Sequence, residues 1–584
     1  MAALIRKVEF MDKAAKQLNE QLLNNVIKKA QGSLHELDVA CKTAAATNKN
    51  LLSTIIKDNA ETEFGRKHGF TEMKNRDDYR KAVPLTTYSD YEPYIRRMTE
   101  NDESNLITSY PVVYYAKTSG TSGTPKKIPV TDRGMSVFRA YSISLQFAVL
   151  QEHYQTTEFK DMPHGLQMLV INLSREFLAN GTEFGPISAA CFDDDACSEL
   201  GYLVSSPKDV LFEATGLTFK YLHARFGLAE RDITSYSAMY ISTLLDEMQY
   251  ITSNWKSLVD DIRHGTIDPS VGVPADLAER LKPYLAPNPK RADELEAAFN
   301  EGTSNTIMTR IWPNLSSVCA IWAGNFSPYA RKLQAYSGKS IPYYTMSYGS
   351  SEGIFGVARH AYVQNYVLLP NSCVYEFIPV ERRYANNQAQ PDTLFIDEIE
   401  EGKEYELVIT NQSGFYRYRI GDIIQVTGFY QEAPMVIFKY RRDSVVSVAG
   451  EKLPEDELMM VVKEFARRSG IDVTDFCLHP DKDSIPGRYV LYIEPGAPVP
   501  EDKLETRRQI FVEELLKANT SVAHYVLGGG MGKPELRFLK QGTFRAFREE
   551  KMRRLGIAEN QLKPVRILDK PELVEFFSER VEEY

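Results

Sequence analysis

The sequence predicts an α/β fold, with a large N-terminal domain of buried β-sheets flanked by helices and a smaller α+β C-terminal domain. The chain has 584 residues, more than one hydrophobic core normally supports, so two or more domains are expected. Apolar, strand-like runs alternate with long helical stretches up to about residue 430, which is typical of a buried sheet between helices. After that point the order and spacing of the predicted helices and strands change. We therefore predict domains at residues 1–430 and 431–584.

The elements of the large domain follow from periodicity. Residues from about 8 to 60 have apolar side chains at helical spacing. Residues 110–116 are rich in β-branched and aromatic side chains, which predicts a strand. Residues 133–152 predict an aromatic-rich amphipathic helix. Further strands are predicted at residues 167–173, 317–322 and 406–410, and long helices at residues 239–263 and 275–300.

The last part of the chain predicts a small α+β unit. The pattern gives helices at residues 455–468 and 502–518, and strands at residues 473–479, 488–494 and 536–539. Residues 428–434 begin with Gly428 and end with Pro434. We expect this segment to connect the two domains and to act as a hinge between them.

Composition narrows the class of protein. The net charge of −10 favours neither a nucleic-acid partner nor an anionic membrane surface. No apolar run is long enough to span a bilayer, and residues 1–7 do not form a secretory signal. The six cysteines are scattered without a CxxC pair, so neither a disulfide framework nor a zinc site is expected. We expect a cytoplasmic protein, and no partner protein is indicated.

One turn concentrates glycines, hydroxyls and lysines directly after the strand at 110–116. It reads Thr118-Ser119-Gly120-Thr121-Ser122-Gly123-Thr124-Pro125-Lys126-Lys127. Glycines let backbone N–H groups approach phosphate oxygens, hydroxyls donate to them, and a lysine adds charge. The spacing is not that of a Walker A loop. Such a run also suits a flexible linker, so the turn alone leaves both interpretations open.

Two later motifs favour the phosphate interpretation. The first is Tyr348-Gly349-Ser350-Ser351-Glu352-Gly353, which alone would be an ordinary turn. The second is Tyr416-Arg417-Tyr418-Arg419-Ile420-Gly421-Asp422, which alone could be an edge strand with a salt bridge. In this order and at these separations, the three motifs together resemble the signature of the adenylate-forming enzymes. These include acyl-CoA synthetases, the adenylation domains of peptide synthetases, and luciferases.

The resemblance narrows to the auxin-responsive acyl acid amido synthetases of plants. Segments spread over most of the chain are similar to that family: residues 83–87, 92–98, 324–329, 375–379, 416–419 and 560–566. Residues 150–310 look divergent, so the hormone substrates of the plant enzymes are not carried over. The helix at 133–152 carries Phe138, Tyr141 and Phe147. These aromatic residues suit an apolar acyl pocket, and core packing explains them equally well.

The family resemblance implies two half-reactions. A carboxylate attacks ATP to give an acyl-adenylate, and an amino acid amine then takes the acyl group. The cofactors implied are ATP and Mg²⁺, and the partners are a small carboxylic acid and an amino acid. Glu352 would bind Mg²⁺, Asp422 the ribose hydroxyls, and Lys563 the charge at the α-phosphate. Glu352 and Lys563 are the implied catalytic residues. The residues implied to bind the nucleotide are Thr118, Ser119, Gly120, Thr121, Ser122, Gly123, Lys126, Gly324, Tyr348, Gly349, Ser350, Ser351 and Asp422.

Two alternatives stay open at this point. One is an acyl-CoA ligase that uses the same first step, and the other is a nucleotide-binding regulatory protein without turnover. Many members of the superfamily have a lysine shortly before the glycine that corresponds to Gly450, where this chain has Ser447 and Val448. This departure slightly favours amide formation over transfer to CoA.

Overall fold

The fold is given by a computed structural model. It describes residues 13–117, 126–141, 145–154, 166–169, 176–190, 204–214, 216–322, 326–345, 347–380, 390–442, 446–448, 451, 453–527, 530–555 and 564–582. The chain divides into two compact units. The N-terminal unit comprises Met1–Ile420 and Ile424–Phe438, and the C-terminal unit comprises Gly421–Ile423 and Lys439–Tyr584. Among the described residues, no helix is long and apolar enough to cross a membrane.

Helices make up much of the N-terminal unit. In chain order they are α1 (Lys13–Lys42), α2 (Ala44–Asp58), α3 (Glu63–Lys67), α4 (Arg76–Ala82), α5 (Tyr88–Glu100), α6 (Asp132–Ala140), α7 (Leu145–Tyr154), α8 (Ile187–Ala190), α9 (Lys208–Glu213), α10 (Gly216–Ala229), α11 (Ile241–His264), α12 (Ala275–Leu281), α13 (Pro289–Asn300), α14 (Ile307–Ile311) and α15 (Ser327–Ser337). Short 3₁₀ turns lie at Phe70–Glu72, Pro269–Val271 and Lys282–Tyr284. The prediction of a helical start is confirmed by α1 and α2.

The strands of this unit are short and numerous. They are β1 (Val112–Lys117), β2 (Lys127–Thr131), β3 (Leu166–Leu169), β4 (Glu176–Phe177), β5 (Glu183–Gly185), β6 (Ser235–Tyr240), β7 (Ser317–Ile321), β8 (Tyr343–Tyr344), β9 (Tyr348–Ser350), β10 (Gly353–Val357), β11 (Tyr366–Leu368), β12 (Val374–Pro379), β13 (Leu394–Phe395), β14 (Glu404–Thr410), β15 (Tyr418–Tyr430) and β16 (Ala433–Arg441).

In the described part of the chain these strands form three sheets. A parallel sheet has the order β3-β6-β7-β8, and a mixed sheet has the order β2-β1-β5-β4. The largest sheet has the order β13-β12-β14-β15-β16-β11-β10-β9. One hydrophobic core joins α1 and α2 to the mixed and largest sheets, with Leu37, Ile55 and Ile409 fully buried in it. The α/β fold predicted from the sequence is therefore confirmed.

The C-terminal unit is a three-stranded sheet covered by helices on both faces. Its helices are α16 (Glu455–Ser469), α17 (Leu504–Ala518), α18 (Thr520–Leu527), α19 (Thr543–Leu555) and α20 (Pro571–Ser578), with a 3₁₀ turn at Glu501–Lys503. Its strands, in the order β17-β18-β19, are β17 (Val473–Asp481), β18 (Arg488–Pro495) and β19 (Glu535–Phe538).

Alternation along β17 and β18 separates two hydrophobic clusters in this unit. Phe476 and Leu491 belong to the cluster that includes residues of α16 and α17. Cys477 and Val490 belong to the cluster that includes Phe577 of α20. Successive side chains of a strand point to opposite faces, so both faces of this sheet are buried.

The structure corrects four details of the sequence prediction. Strand β2, which was not predicted, separates the glycine-rich turn from the next helix. The helix at 133–152 is two helices, α6 and α7. The helix at 275–300 is interrupted by the 3₁₀ turn at Lys282–Tyr284. Residues 428–434 are not a linker. They form the hairpin between β15 and β16, which pair in one sheet within the N-terminal unit.

Candidate active site

The glycine-rich turn connects the two strands of a hairpin. Strands β1 and β2 are antiparallel, and their last pair is Lys117 with Lys127. The turn is therefore closed at its base by strand pairing. Thr118, Ser119, Gly120, Thr121, Ser122 and Gly123 lie outside the described residues. Lys126 is described and is half-buried at the start of β2.

Tyr88, the first residue of α5, holds the base of this hairpin. Its hydroxyl accepts from the N–H of Lys127 at 3.1 Å and lies 3.3 Å from the carbonyl oxygen of the same residue. The ammonium of Lys126 lies 5.0 Å from the centroid of the Tyr88 ring, within cation–π range. Burial raises the pKa of Tyr88, and the carboxylates of Glu92 and Glu352 raise it further. Tyr88 thus lies near both Lys126 and Glu352.

Glu352 lies in the tight turn between β9 and β10. Its carboxylate accepts from the Ser350 hydroxyl at 2.5 Å and from the Tyr418 hydroxyl at 3.2 Å. The Glu352 N–H donates to Ser350 Oγ at 3.1 Å, and its carbonyl oxygen accepts from Asn411 at 2.8 Å. The backbone and the carboxylate are therefore both fixed, while the side chain stays half-exposed. Ser351, also half-exposed, is the other residue of this turn.

Gly349 and Tyr348 explain why the turn is so tight. A Cβ at position 349 would lie 2.7 Å from the Gly353 carbonyl oxygen, so only glycine lets the two strands pack this closely. The Tyr348 side chain is buried against Phe355 and Tyr366, with ring centroids 5.5 and 5.6 Å away. The binding of the nucleotide by these two residues stays a prediction.

Residues 416–419 form a scaffold for this site. Arg417 donates to the buried carboxylate of Glu376 at 2.9 Å. Arg419 donates to both oxygens of the buried Glu406, at 2.9 and 2.7 Å. The backbone of Thr86 pairs with this segment, accepting from Arg419 N and donating to Arg417 O, both at 2.9 Å. The segment at 83–87 is thereby joined to the third motif, and Tyr418 is brought to Glu352.

Asp422 belongs to the C-terminal unit. Its carboxylate is 5% exposed and accepts from Arg441 Nε at 2.9 Å, while the Arg441 side chain is 47% exposed. Gly421 before it has φ of +84°, a left-handed conformation that favours glycine and turns the strand at this point. The salt bridge that this motif alone could have indicated does not join Asp422 to Arg417 or Arg419, because those two arginines pair with Glu376 and Glu406. The ribose role of Asp422 stays a prediction.

Two predicted site residues, Gly324 and Lys563, also lie outside the described residues. Gly324 falls in the connection between β7 and α15, after the carboxyl end of a parallel strand, where α/β proteins commonly bind ligands. Lys563 directly precedes a segment that pairs with β17. There Arg566 donates to Asp475 at 2.6 Å, and both side chains are buried.

Aromatic residues predicted for an acyl pocket lie in the core. Phe138 and Tyr141 are 4% and 3% exposed and belong to the hydrophobic core of the N-terminal unit. The Tyr141 carbonyl oxygen accepts from the Ser347 hydroxyl at 2.6 Å. The side chain of Phe147 lies outside the described residues. Core packing therefore explains Phe138 and Tyr141, and they no longer indicate an apolar substrate.

The structure thus places Lys126 against Tyr88 and Glu352 against Tyr418, with the Glu352 carboxylate close enough to Tyr88 to raise its pKa. Sequence reasoning missed both tyrosines as site residues. Tyr88 follows a segment that the family resemblance had already marked, and Tyr418 lies inside the third motif. Among the described residues, no group of three or more His, Cys, Asp or Glu side chains could hold a metal ion. One carboxylate fits Mg²⁺ that is held mainly by phosphate oxygens and water.

Comparisons with known proteins show which family the sequence resembles over most of its length. The sequence matches the GH3 family N-terminal domain over residues 33–342, the GH3 family central domain over 366–441 and the GH3 family C-terminal domain over 456–572. It is 29% identical to the indole-3-acetic acid-amido synthetase GH3.8 of Oryza sativa subsp. indica, over 94% of this chain and 92% of that protein. It is 28% identical to the jasmonoyl–L-amino acid synthetase GH3.5 of Oryza sativa subsp. japonica, over 92% of this chain and 94% of that protein.

The fold is also similar to that of a solved structure, the GH3.15 acyl acid amido synthetase. The TM-score is 0.81 at 26% sequence identity, and the match covers 94% of this chain and 96% of that chain.

Proposed function

This chain belongs to the GH3 family, and we propose that it is an ATP-dependent acyl acid amido synthetase. It would join a small carboxylic acid to the amine of an amino acid and release AMP and pyrophosphate. The observation that carries this proposal is the contact of Tyr88 with Lys126, with the Glu352 carboxylate close enough to raise the Tyr88 pKa, in a chain that matches the three GH3 domains in order. A cation at the base of a glycine-rich turn suits a polyphosphate.

In the first half-reaction the carboxylate oxygen of the acid attacks the α-phosphorus of ATP, and pyrophosphate leaves. Catalysis of such a step is mostly positioning and stabilisation of charge. We assign the β- and γ-phosphates to residues 118–123 and Lys126. Glu352 would hold a Mg²⁺ ion that binds with the nucleotide, and this ion would neutralise phosphate charge.

In the second half-reaction the amine attacks the acyl carbon and AMP leaves with the bonding electron pair. Asp422 would accept hydrogen bonds from the ribose hydroxyls of ATP and AMP alike. To do so it must accept them in addition to the Arg441 N–H, or Arg441 must turn away. Lys563 would stabilise negative charge at the α-phosphate during adenylation. A cytoplasmic location and a reorientation of the C-terminal unit between the two steps also stay predictions.

The names of the relatives indicate which acids to test. One relative is named for indole-3-acetic acid and another for jasmonoyl conjugates, so family membership does not select one acid. We propose a small organic acid as the acyl donor and a free amino acid as the acceptor.

The decisive experiment separates the two half-reactions. ATP–pyrophosphate exchange is measured with a panel containing indole-3-acetic acid, jasmonic acid and benzoates. For an acid that supports exchange, AMP release is then measured with each amino acid and with CoA. Release with an amino acid supports the proposal, and release with CoA alone makes the chain an acyl-CoA ligase. Binding of ATP without exchange for any acid would favour a regulatory protein.

A further inference from the structure

Tyr88 occupies a position that none of the three motifs includes, yet it contacts the first motif and lies near the second. It is the first residue of α5, directly after the N-cap Thr87. A capping box fixes this helix start, with the Thr87 N–H donating to the Asp90 carboxylate at 2.8 Å. The residue before the cap, Thr86, is paired on both sides with residues 417 and 419. Hydrogen bonds of Thr86 and Thr87 therefore hold the backbone that carries Tyr88 in place.

Tyr88 makes two contacts with residues at the end of the glycine-rich turn. Its hydroxyl bonds the backbone of Lys127, the residue whose pairing with Lys117 closes the hairpin. Its ring lies under the ammonium of Lys126 at 5.0 Å. The first contact fixes where the turn ends, and the second limits where the Lys126 side chain points.

The Lys126 ammonium contacts an aromatic ring, and this leaves its charge available for an anion. Among the described residues, its ammonium forms an ion pair with no carboxylate, although Glu352 lies near the same tyrosine. An aromatic face attracts a cation without neutralising its charge, whereas a carboxylate would cancel much of that charge. Lys126 is thus held in place with its full attraction for an anion.

We propose that Tyr88 is a positioning residue for the polyphosphate of ATP, acting through Lys126. Its ring holds the ammonium ready for phosphate, and its hydroxyl clamps the base of the turn. This inference rests on the proposed function of the turn as a phosphate site.

The test compares two changes at Tyr88 in the full-length chain. Tyr88→Leu removes the ring and should raise the Kd and KM for ATP about threefold to tenfold, which is the range of one partly buried cation–π contact. The kcat should change less than the KM. Tyr88→Phe keeps the ring, so its KM should lie between those of the wild type and Tyr88→Leu.

A double variant distinguishes positioning from general damage. In a Lys126→Met background, Tyr88→Leu and Tyr88→Phe should give the same Kd for ATP, because the ring no longer has an ammonium to hold. Tyr94→Leu, in the same helix, is the matched control and should leave ATP binding unchanged. A higher Kd for Tyr88→Leu than for Tyr88→Phe that persists in the Lys126→Met background, or a Tyr88→Leu variant that binds ATP like the wild type, would overturn the proposal.

Calorimetric titration of ATP separates this inference from the proposed function. If the wild type binds ATP but supports no exchange with any acid, the amido synthetase proposal fails. The Kd values of the Tyr88 variants for ATP then still test the positioning role of Tyr88. If the wild type binds no ATP, both proposals are wrong.

Discussion

Two buried glutamates in the N-terminal unit have opposite kinds of partner, a cation for Glu376 and neutral groups for Glu247. Glu376 in the largest sheet is 1% exposed and accepts from the guanidinium of Arg417, which also donates to the carbonyl oxygens of Arg80 and Val83. Glu247 beside the parallel sheet is 2% exposed, and it forms hydrogen bonds with the amide of Gln167 and the phenol of Tyr236, at 2.8 and 2.7 Å.

The proton count around Glu247 shows the difference. The Tyr236 hydroxyl lies 2.9 Å from the Leu244 carbonyl oxygen as well as 2.7 Å from Glu247. A phenol carries one proton, so both hydrogen bonds form only when Glu247 is protonated and donates to Tyr236. Burial raises the pKa of Glu247 to about 7, against the opposing effect of its two hydrogen-bond donors. A buried carboxylate thus keeps its charge beside an arginine and tends to lose it beside neutral partners.

This comparison assigns a role to the arginines of the third motif. Arg417 and Arg419 hold the buried carboxylates of Glu376 and Glu406 in the sheet that carries Glu352. They support the candidate site, and the half-exposed Glu352 is the carboxylate that we propose binds a ligand there. Substitutions at these carboxylates or their partners should therefore affect different properties, namely stability, the pH dependence of stability and ligand binding.

The largest effect is expected from Arg417→Met. It leaves the buried Glu376 without its cation, and breaking a buried pair on one side costs about 3–5 kcal/mol of unfolding free energy. Urea unfolding followed by tryptophan fluorescence measures this, because Trp255, Trp312 and Trp322 all lie in the N-terminal unit. The double variant Arg417→Met/Glu376→Gln should recover part of the loss. A loss below about 1 kcal/mol for the single change would contradict the role of this pair.

The next effect concerns Glu247 and depends on pH. Its pKa is raised from 4.5 to about 7 on folding, so its contribution to stability is complete below pH 4.5 and is lost as pH rises through about 7. The loss amounts to about 3 kcal/mol. Glu247→Gln mimics the neutral acid and should lack this dependence. The difference in unfolding free energy between variant and wild type should therefore grow in favour of the variant from pH 5 to pH 8. A difference that stays constant with pH would show that Glu247 is charged in the fold.

Glu352→Gln tests the carboxylate that no described arginine accompanies. The change should raise the Mg²⁺ concentration needed for pyrophosphate exchange and cost about 1.5–3 kcal/mol in apparent metal binding. AMP affinity without metal should stay unchanged. Glu92→Gln is the matched control, since Glu92 also faces Tyr88 but lies exposed on α5. Equal losses of metal-dependent exchange and of AMP affinity would mean that Glu352 is structural.

Asp422 is the intermediate case, a buried carboxylate whose arginine is half-exposed. Asp422→Ala should lower the affinity for ATP and AMP alike by about 1–3 kcal/mol, because the ribose is common to both. Calorimetry with both nucleotides measures this, and Arg441→Ala shows what loss of the ion pair alone does. Preserved AMP affinity in Asp422→Ala would refute the ribose role and leave only the pair with Arg441.

Local patterns predicted the regular elements well. Helix α16 and strands β7 and β14 lie within a few residues of their predicted positions, because side-chain periodicity and β-branched runs are local properties. Gly428 and Pro434 were misleading, since both residues also suit a β-hairpin at the end of a long strand. Strand β2 was missed because it contains Pro129, which an edge strand tolerates.

The site was predictable only in part. Lys126 and Glu352 follow from the motifs and the family resemblance, and the structure brings them near the same tyrosine. The clamp made by Tyr88 and the pairing of Arg417 with Glu376 depend on contacts between residues far apart in the chain. One sequence contains no local pattern that reveals such contacts.

The interrupted course of the chain has a consequence for exchanging parts between related proteins. The C-terminal unit comprises Gly421–Ile423 and Lys439–Tyr584. Fifteen residues of the other unit, Ile424–Phe438, lie between these two segments in the chain. A chimera spliced at residue 438 would take Arg441 from one parent and Asp422 from the other. Such hybrids inherit Asp422 and Arg441 from one parent only when recombination falls outside residues 422–441. A hybrid that keeps the C-terminal unit intact must therefore take the hairpin of β15 and β16 from the same parent.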